Sequence, residues 1–191
     1  MSADTSDRNK LMRYFDDHDE VWLFGYGSLI YKVDFSYIER RPASITGWAR
    51  RFWQGSHDHR GTPEAPGRVA TLIAQRDSIC PGMAYLITPL MFEQLDIREK
   101  NGYLRVVTTM HFDDGGEAQG VVYIANEDNE AWLGPAPERD IAHQIACSHG
   151  PSGPNRDYLL KLAASLRELG HDDEHVFALE RHLQALELNE N

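Results

Sequence analysis

Cysteine is nearly missing: Cys80 and Cys147 are the only two in 191 residues, and neither has a C-x-x-C partner. That argues against a disulfide framework or a zinc knuckle, and two reduced thiols are expected. Positive charge is also scarce, with 19 Lys and Arg against 30 Asp and Glu and a formal net charge of −11. Nucleic-acid binding depends on clustered cations that displace counterions, so a phosphate backbone is a poor partner for this chain. No apolar run reaches the roughly 20 residues that a membrane-crossing helix needs. The opening Met1-Ser2-Ala3-Asp4-Thr5-Ser6-Asp7-Arg8-Asn9-Lys10 lacks the apolar core of a secretory signal. The expectation is a cytoplasmic protein with no nucleic-acid partner and no membrane partner.

What is present reads as a strand-rich first part and a helix-rich end, an α+β pattern rather than the alternation of a doubly wound sheet. Short runs rich in β-branched and aromatic residues predict strands at 22–25, 45–54, 68–74, 82–87, 105–112 and 120–124. Thr88-Pro89 opens a helical pattern running to Ile97, with Thr88 as the cap and Glu99 just past the end. Leu159, Leu162, Leu166 and Leu169 form a helical stripe stopped at Gly170, and Val176, Leu179, Leu183 and Leu186 form a second one. The length suits one domain over 21–191, preceded by a tail over 1–20 that ends in the acidic run Asp16-Asp17-His18-Asp19-Glu20.

The most informative stretch is Val21-Trp22-Leu23-Phe24-Gly25-Tyr26-Gly27-Ser28-Leu29-Ile30, a hydrophobic strand entering a glycine turn. Glycine tolerates positive φ and allows close approach of the main chain, so Gly25 and Gly27 can form an anion cradle of N–H groups. It fits none of the familiar glycine motifs. A dinucleotide fingerprint needs a third glycine where Ile30 stands, a P-loop needs Gly-Lys-Ser/Thr, and a nucleophile elbow needs its serine between two glycines. From spacing alone, a plain strand ending in a turn is the simpler reading.

Further segments change that balance. Arg50-Arg51-Phe52-Trp53-Gln54-Gly55-Ser56-His57-Asp58-His59-Arg60-Gly61 leads to Pro66-Gly67-Arg68-Val69-Ala70-Thr71-Leu72. Arg98-Glu99-Lys100-Asn101-Gly102-Tyr103 and Trp132-Leu133-Gly134-Pro135-Ala136-Pro137 follow. With the Tyr26-Gly27-Ser28-Leu29 turn, these resemble, in order and spacing, the ChaC family of glutathione-specific γ-glutamylcyclotransferases. The resemblance runs from about Val21 to the last helix. It implies a small mixed β-barrel or sheet with packed helices and a helical C-terminal part. It also implies a cofactor-free enzyme whose partner is a small γ-glutamyl substrate. Oligomeric state is not legible; with no heptad seam, a monomer or weak dimer is expected.

In that chemistry the substrate's own α-amine attacks its γ-carbonyl, closing 5-oxoproline and expelling the next residue's amine. No enzyme nucleophile is needed, and orientation of an intramolecular attack can supply roughly 7–11 kcal/mol. Proton traffic remains, and one carboxylate between the two amines can carry it. The resemblance assigns this role to Glu99. In isolation Glu99 is one charge in a solvated run, and the role asks for partial burial by neighbours such as Tyr26 or Tyr103. The resemblance further implies that Phe24, Gly25, Tyr26, Gly27, Ser28, Leu29, Arg68 and Tyr103 bind substrate. Ser28 can equally be a turn-stabilising hydroxyl.

His57-Asp58-His59 offers only part of a metal site, so no metal is expected and a hydrogen-bonded loop is the better reading. Trp132 departs from the family's usual Tyr and keeps the ring without the hydroxyl, which leaves specificity at that edge open. A cyclotransferase for other γ-glutamyl amines, and a silent binding protein of the same fold, stand as alternatives.

Overall fold

The computed structural model describes residues 17–99 and 102–189. Most of the expected 1–20 tail, and Lys100 and Asn101 of the Arg-Glu-Lys motif, lie outside them. Asp17, His18, Asp19 and Glu20 are exposed, in keeping with a solvated lead-in. The chain forms two compact units: one from residues up to Ala49 and from Ala74–Glu130, the other from Arg50–Ile73 and from Ala131 onward.

The first unit holds a closed five-stranded barrel in the order β1-β3-β2-β4-β5. Its strands are β1 (Val21–Gly25), β2 (Glu39–Ser56), β3 (Gly67–Ile87), β4 (Leu104–Phe112) and β5 (Glu117–Ile124). The unit boundary falls inside β2 and inside β3. β1 is the keystone: it runs antiparallel to β3, with Leu23 opposite Tyr85 and Gly25 opposite Met83, and parallel to β5, with Trp22 opposite Gly120. Leu23, Ile45, Tyr85, Ile87, Met110 and Val121 are wholly buried, which accounts for the apolar alternation along the strands.

The two runs expected at 68–74 and 82–87 are one strand, β3. The polar stretch Gln75-Arg76-Asp77-Ser78 breaks the apolar pattern without breaking the strand. Asp77 takes a left-handed conformation there (φ 64°), which Asp tolerates better than most residues. After β3 the chain turns through Thr88, whose oxygen accepts the Met91 N–H at 3.0 Å, into α1 (Met91–Arg98). The helix starts two residues later than expected, with Leu90 in place of Thr88 as its N-cap and no side chain capping it. Glu99 is its C-cap and donates its N–H to the Leu95 oxygen at 2.8 Å.

The second unit carries α2 (Glu138–Cys147), the two-residue strands β6 (His149–Gly150) and β7 (Gly153–Pro154), α3 (Asn155–Glu168) and α4 (Glu174–Asn189). α4 packs on both α2 and α3. Leu159, Leu162, Leu166, Val176, Leu179 and Leu183 are fully buried, so both apolar stripes are core, with Leu169 and Leu186 at its margin. Gly170 ends α3 with φ 72°, and the His171 N–H reaches back to the Leu166 oxygen at 3.0 Å, closing the turn as expected for a C-terminal glycine. α2 was not among the expected helices. Pro137 precedes it and accepts the N–H groups of Asp140 and Ile141, so a proline-rich segment runs directly into a helix.

His175 at the start of α4 is buried, its Nε2 accepting the Phe52 N–H at 3.1 Å and its Nδ1 3.0 Å from a Glu138 oxygen. This pairing is that of a neutral imidazole. Burial, partly offset by the bond to Glu138, holds the His175 pKa below its usual 6.5. A depressed native value means that the unfolded chain takes up this proton first as pH falls, so the stabilisation is complete above about 6.5 and erodes below it. Urea unfolding of wild type and His175→Gln between about pH 5 and pH 7.5 should give a steeper acid loss in wild type. A constant gap between the two across that window would refute the assignment.

Candidate active site

β1 ends at Gly25, and Tyr26-Gly27 leads into a single 3-10 turn over Ser28–Ile30. Neither glycine has positive φ, and Gly25 serves close approach. Gly27 has φ −127° and caps the turn, and a Cβ on Gly25 would lie 2.7 Å from Leu29 Cβ. The Ile30 N–H returns to the Gly27 oxygen at 3.0 Å, and Lys32 to that of Ser28 at 2.7 Å. The first N–H groups of such a turn have no partner within it. Among the described residues, no main-chain acceptor takes those of Ser28 and Leu29.

Side chains fix this turn from several strands. The Tyr26 hydroxyl, in a ring only 7% exposed, donates to the Tyr123 main-chain oxygen at 2.7 Å. The Tyr85 hydroxyl donates to the Leu29 oxygen, and burial pushes its pKa up to about 12, so it stays a donor. Phe24 is buried to 1% and packs near Gly82, leaving its main chain, not its ring, at the turn.

Glu99 belongs to the same unit, with its side chain 19% exposed. Its Oε1 lies 3.4 Å from Arg98 Nε, while Arg98 Nη2 donates to Ser28 Oγ at 3.2 Å and Nη1 to Asp34 Oδ1. The Ser28 hydroxyl therefore links the turn to the last residue of α1. Tyr103 is half-buried in this unit, one residue beyond Gly102, whose φ of 87° sets the bend against Asn129.

Under α1 sits a charged cluster that sequence reasoning missed. Asp96, 2% exposed, pairs with Arg105 and accepts the Tyr123 hydroxyl at 2.6 Å, and Arg105 Nε reaches Asp96 at 3.0 Å and the Tyr123 oxygen at 3.2 Å. Burial, then the bond to Asp96, keeps the Tyr123 hydroxyl protonated far above its ordinary range. The only signal in the sequence was an Asp on the apolar side of a short helix.

Arg68 belongs to the second unit. Its Nε donates to Gln144 Oε1 at 2.7 Å and its Nη1 to the oxygens of Phe52 and Gly134 at 3.0 and 2.8 Å. Asn155, fully buried, clamps the Arg68 main chain by accepting its N–H at 2.7 Å and donating to its oxygen at 2.8 Å. Trp132 meets Trp53 edge to face at 6.2 Å, beside a bridge from Gln54 to Trp132. His59 is tied into its loop, Nδ1 3.2 Å from Ser152 Oγ and its oxygen accepting the Ser152 N–H. Among the described residues no group of three or more His, Cys, Asp or Glu gathers in metal-binding geometry. No helix among them is long and apolar enough to cross a membrane.

A five-stranded closed barrel with a glycine turn at the end of β1, joined to helices, is the α+β architecture of a solved γ-glutamylcyclotransferase specific to glutathione from yeast. That structure matches at a TM-score of 0.82 and 34% identity, over 88% of this chain and 97% of its own. The ChaC-like protein family model matches residues 21–186, and the chain belongs to that family. It is 46% identical over 168 residues to γ-glutamylcyclotransferase 2-3 of Arabidopsis thaliana, spanning 82% of this chain and 84% of that one. It is 43% identical over 176 residues to glutathione-specific γ-glutamylcyclotransferase 1 of Danio rerio, spanning 86% and 89%.

The cluster under α1 yields a direct test. Asp96→Asn leaves Arg105 buried without its counter-charge, a loss of about 3–5 kcal/mol. Urea unfolding should read a fall of that size, and a change under about 1 kcal/mol, the level of an exposed pair, would mean that Arg105 is solvated after all.

Proposed function

We propose that this protein cleaves glutathione to 5-oxoproline and cysteinylglycine, with Glu99 carrying the proton and the Phe24–Leu29 turn holding the γ-glutamyl group. The observation that carries this reading is that Glu99 and the turn, 70 positions apart in the chain, are joined through Arg98, which reaches Ser28 Oγ at 3.2 Å and Glu99 Oε1 at 3.4 Å. Membership of a family whose relatives bear the cyclotransferase name supports it.

The turn's N–H groups suit the substrate's α-carboxylate, an anion met by a concave row of donors. Held there, the glutamyl chain folds so that its α-amine faces its γ-carbonyl. Glu99 takes a proton from the α-ammonium, and the freed lone pair adds to the γ-carbon. As the tetrahedral centre collapses, the γ-carbon to nitrogen bond breaks, the proton on Glu99 passes to the departing cysteine amine, and the ring nitrogen gives up its second proton to the carboxylate so freed, leaving the neutral lactam. Nothing is oxidised or reduced, and one carboxylate serves in both directions. Tyr103, in the same unit, joins the proposed binding set; for Arg68 a binding role rests on the family resemblance alone.

Purified protein given reduced glutathione should release 5-oxoproline and cysteinylglycine in equal amounts. Glu99→Gln keeps the shape and loses the proton acceptor, so turnover should fall by about 10²–10⁴-fold while binding survives. Glutathione acetylated on its α-amine should resist cleavage, since an amide nitrogen has no available lone pair. Cleavage of the acetylated compound would point to hydrolysis instead. Release of 5-oxoproline from other γ-glutamyl amides but not from glutathione would move the substrate assignment and leave the chemistry standing.

A further inference from the structure

We infer that Arg98 is a positioning residue for Glu99. The inference rests on the reading of Glu99 as the proton carrier. A glutamate just past a helix end has three side-chain torsions and, unrestrained, spreads its carboxylate over several positions. Proton transfer needs the carboxylate within hydrogen-bond reach of two nitrogens in succession. Arg98 restricts it from one side. Its planar guanidinium points Nε at Glu99 Oε1 at 3.4 Å, Nη2 at Ser28 Oγ at 3.2 Å and Nη1 at Asp34 Oδ1.

The three partners come from three places: the C-cap of α1, the turn after β1, and the segment between that turn and β2. A forked, rigid donor set can hold such a triangle, whereas an ammonium on a flexible stem cannot. Asp34 has a part of its own. It takes the far edge of the guanidinium, so Arg98's charge is shared between two carboxylates and its plane is fixed from outside the site. Arg98 is one-quarter exposed at most, with 23% of its side chain accessible, which limits competition from water.

The test is a double-mutant cycle on cleavage of reduced glutathione, read as kcat and KM separately. Arg98→Met should lower kcat roughly 10²-fold, the size of effect a displacement of about 1 Å produces, with KM unchanged. Arg98→Lys should restore only part of it. In the Glu99→Gln background Arg98→Met should add almost nothing, because its effect passes through the carboxylate. Asp34→Asn, a milder change that leaves the arginine in place, should show a smaller loss with the same non-additivity and keeps the test open if Arg98→Met fails to fold. If Glu99→Gln is impaired but Arg98→Met multiplies the loss in full, Arg98 acts independently and the inference fails alone. A raised KM with unchanged kcat would make Arg98 a substrate contact and overturn it equally. Normal turnover by Glu99→Gln would sink the reading of Glu99 and this inference together.

Discussion

The buried Asp96–Arg105–Tyr123 cluster is the constraint on which the site geometry depends. Asp96 is in α1, Arg105 in β4 and Tyr123 in β5, so one charged contact locks the helix onto two barrel strands. The main-chain oxygen of Tyr123 receives the Tyr26 hydroxyl, which extends the lock to the glycine turn. Arg98 is the last residue of this helix and Glu99 its C-cap, so their placement follows from it. A buried ion pair of this kind often adds little net stability over an apolar substitute, because each charge gives up its water. Its gain is directional. A short helix held only by Phe92 and Leu95 could roll or slide on the barrel, and Asp96 permits a single register against Arg105.

In the second unit, polar residues also occupy the interior or its margin, answering main-chain groups or one another. Asn155 mimics a strand edge for Arg68, Gln144 links the Arg68 side chain to the Pro66 oxygen at 2.8 Å, and Arg50 pairs with Asp173 at 2.6 Å while wholly buried. Unpartnered carbonyls in such a place would cost more than the arginines do. Arg68 thus has a structural duty that can be seen directly, whatever part it takes in binding.

Much of this was legible from the chain. Periodicity marks β1, β5, α3 and α4 because each buries one face over its length, and Gly170 marks where α3 ends. The glycine turn was legible in position; of the two freedoms glycine offers there, positive φ and close approach, Gly25 uses the second and makes room for Leu29. β3 looked like two strands because solvent-facing Gln75, Arg76 and Asp77 carry no apolar signal while remaining within the one strand. α2 was hidden behind a proline-rich lead whose helix-starting role depends on what Pro137 caps. The cluster under α1 could not be read at all. Arg105 and Tyr123 face each other across the β4–β5 hairpin, and Asp96 meets them because α1 folds back onto that hairpin, a placement that no local pattern encodes.

The assigned chemistry also says where selectivity has to reside. In the proposed assignment the turn and Glu99 act on the glutamyl half, which every γ-glutamyl amide shares, and groups that bind all substrates equally cannot discriminate among them. Preference for glutathione must therefore come from side chains that meet the cysteinylglycine half in the transition state. Buried polar contacts are the ones capable of large discrimination, since an analogue that fails to pair with them leaves a desolvated group unsatisfied. By the family resemblance, Trp132 stands where a tyrosine is usual, so a ring without a hydroxyl occupies that position here. A chain that keeps the machinery for the common half and alters a polar group elsewhere retains the reaction while its choice among leaving amines is free to shift.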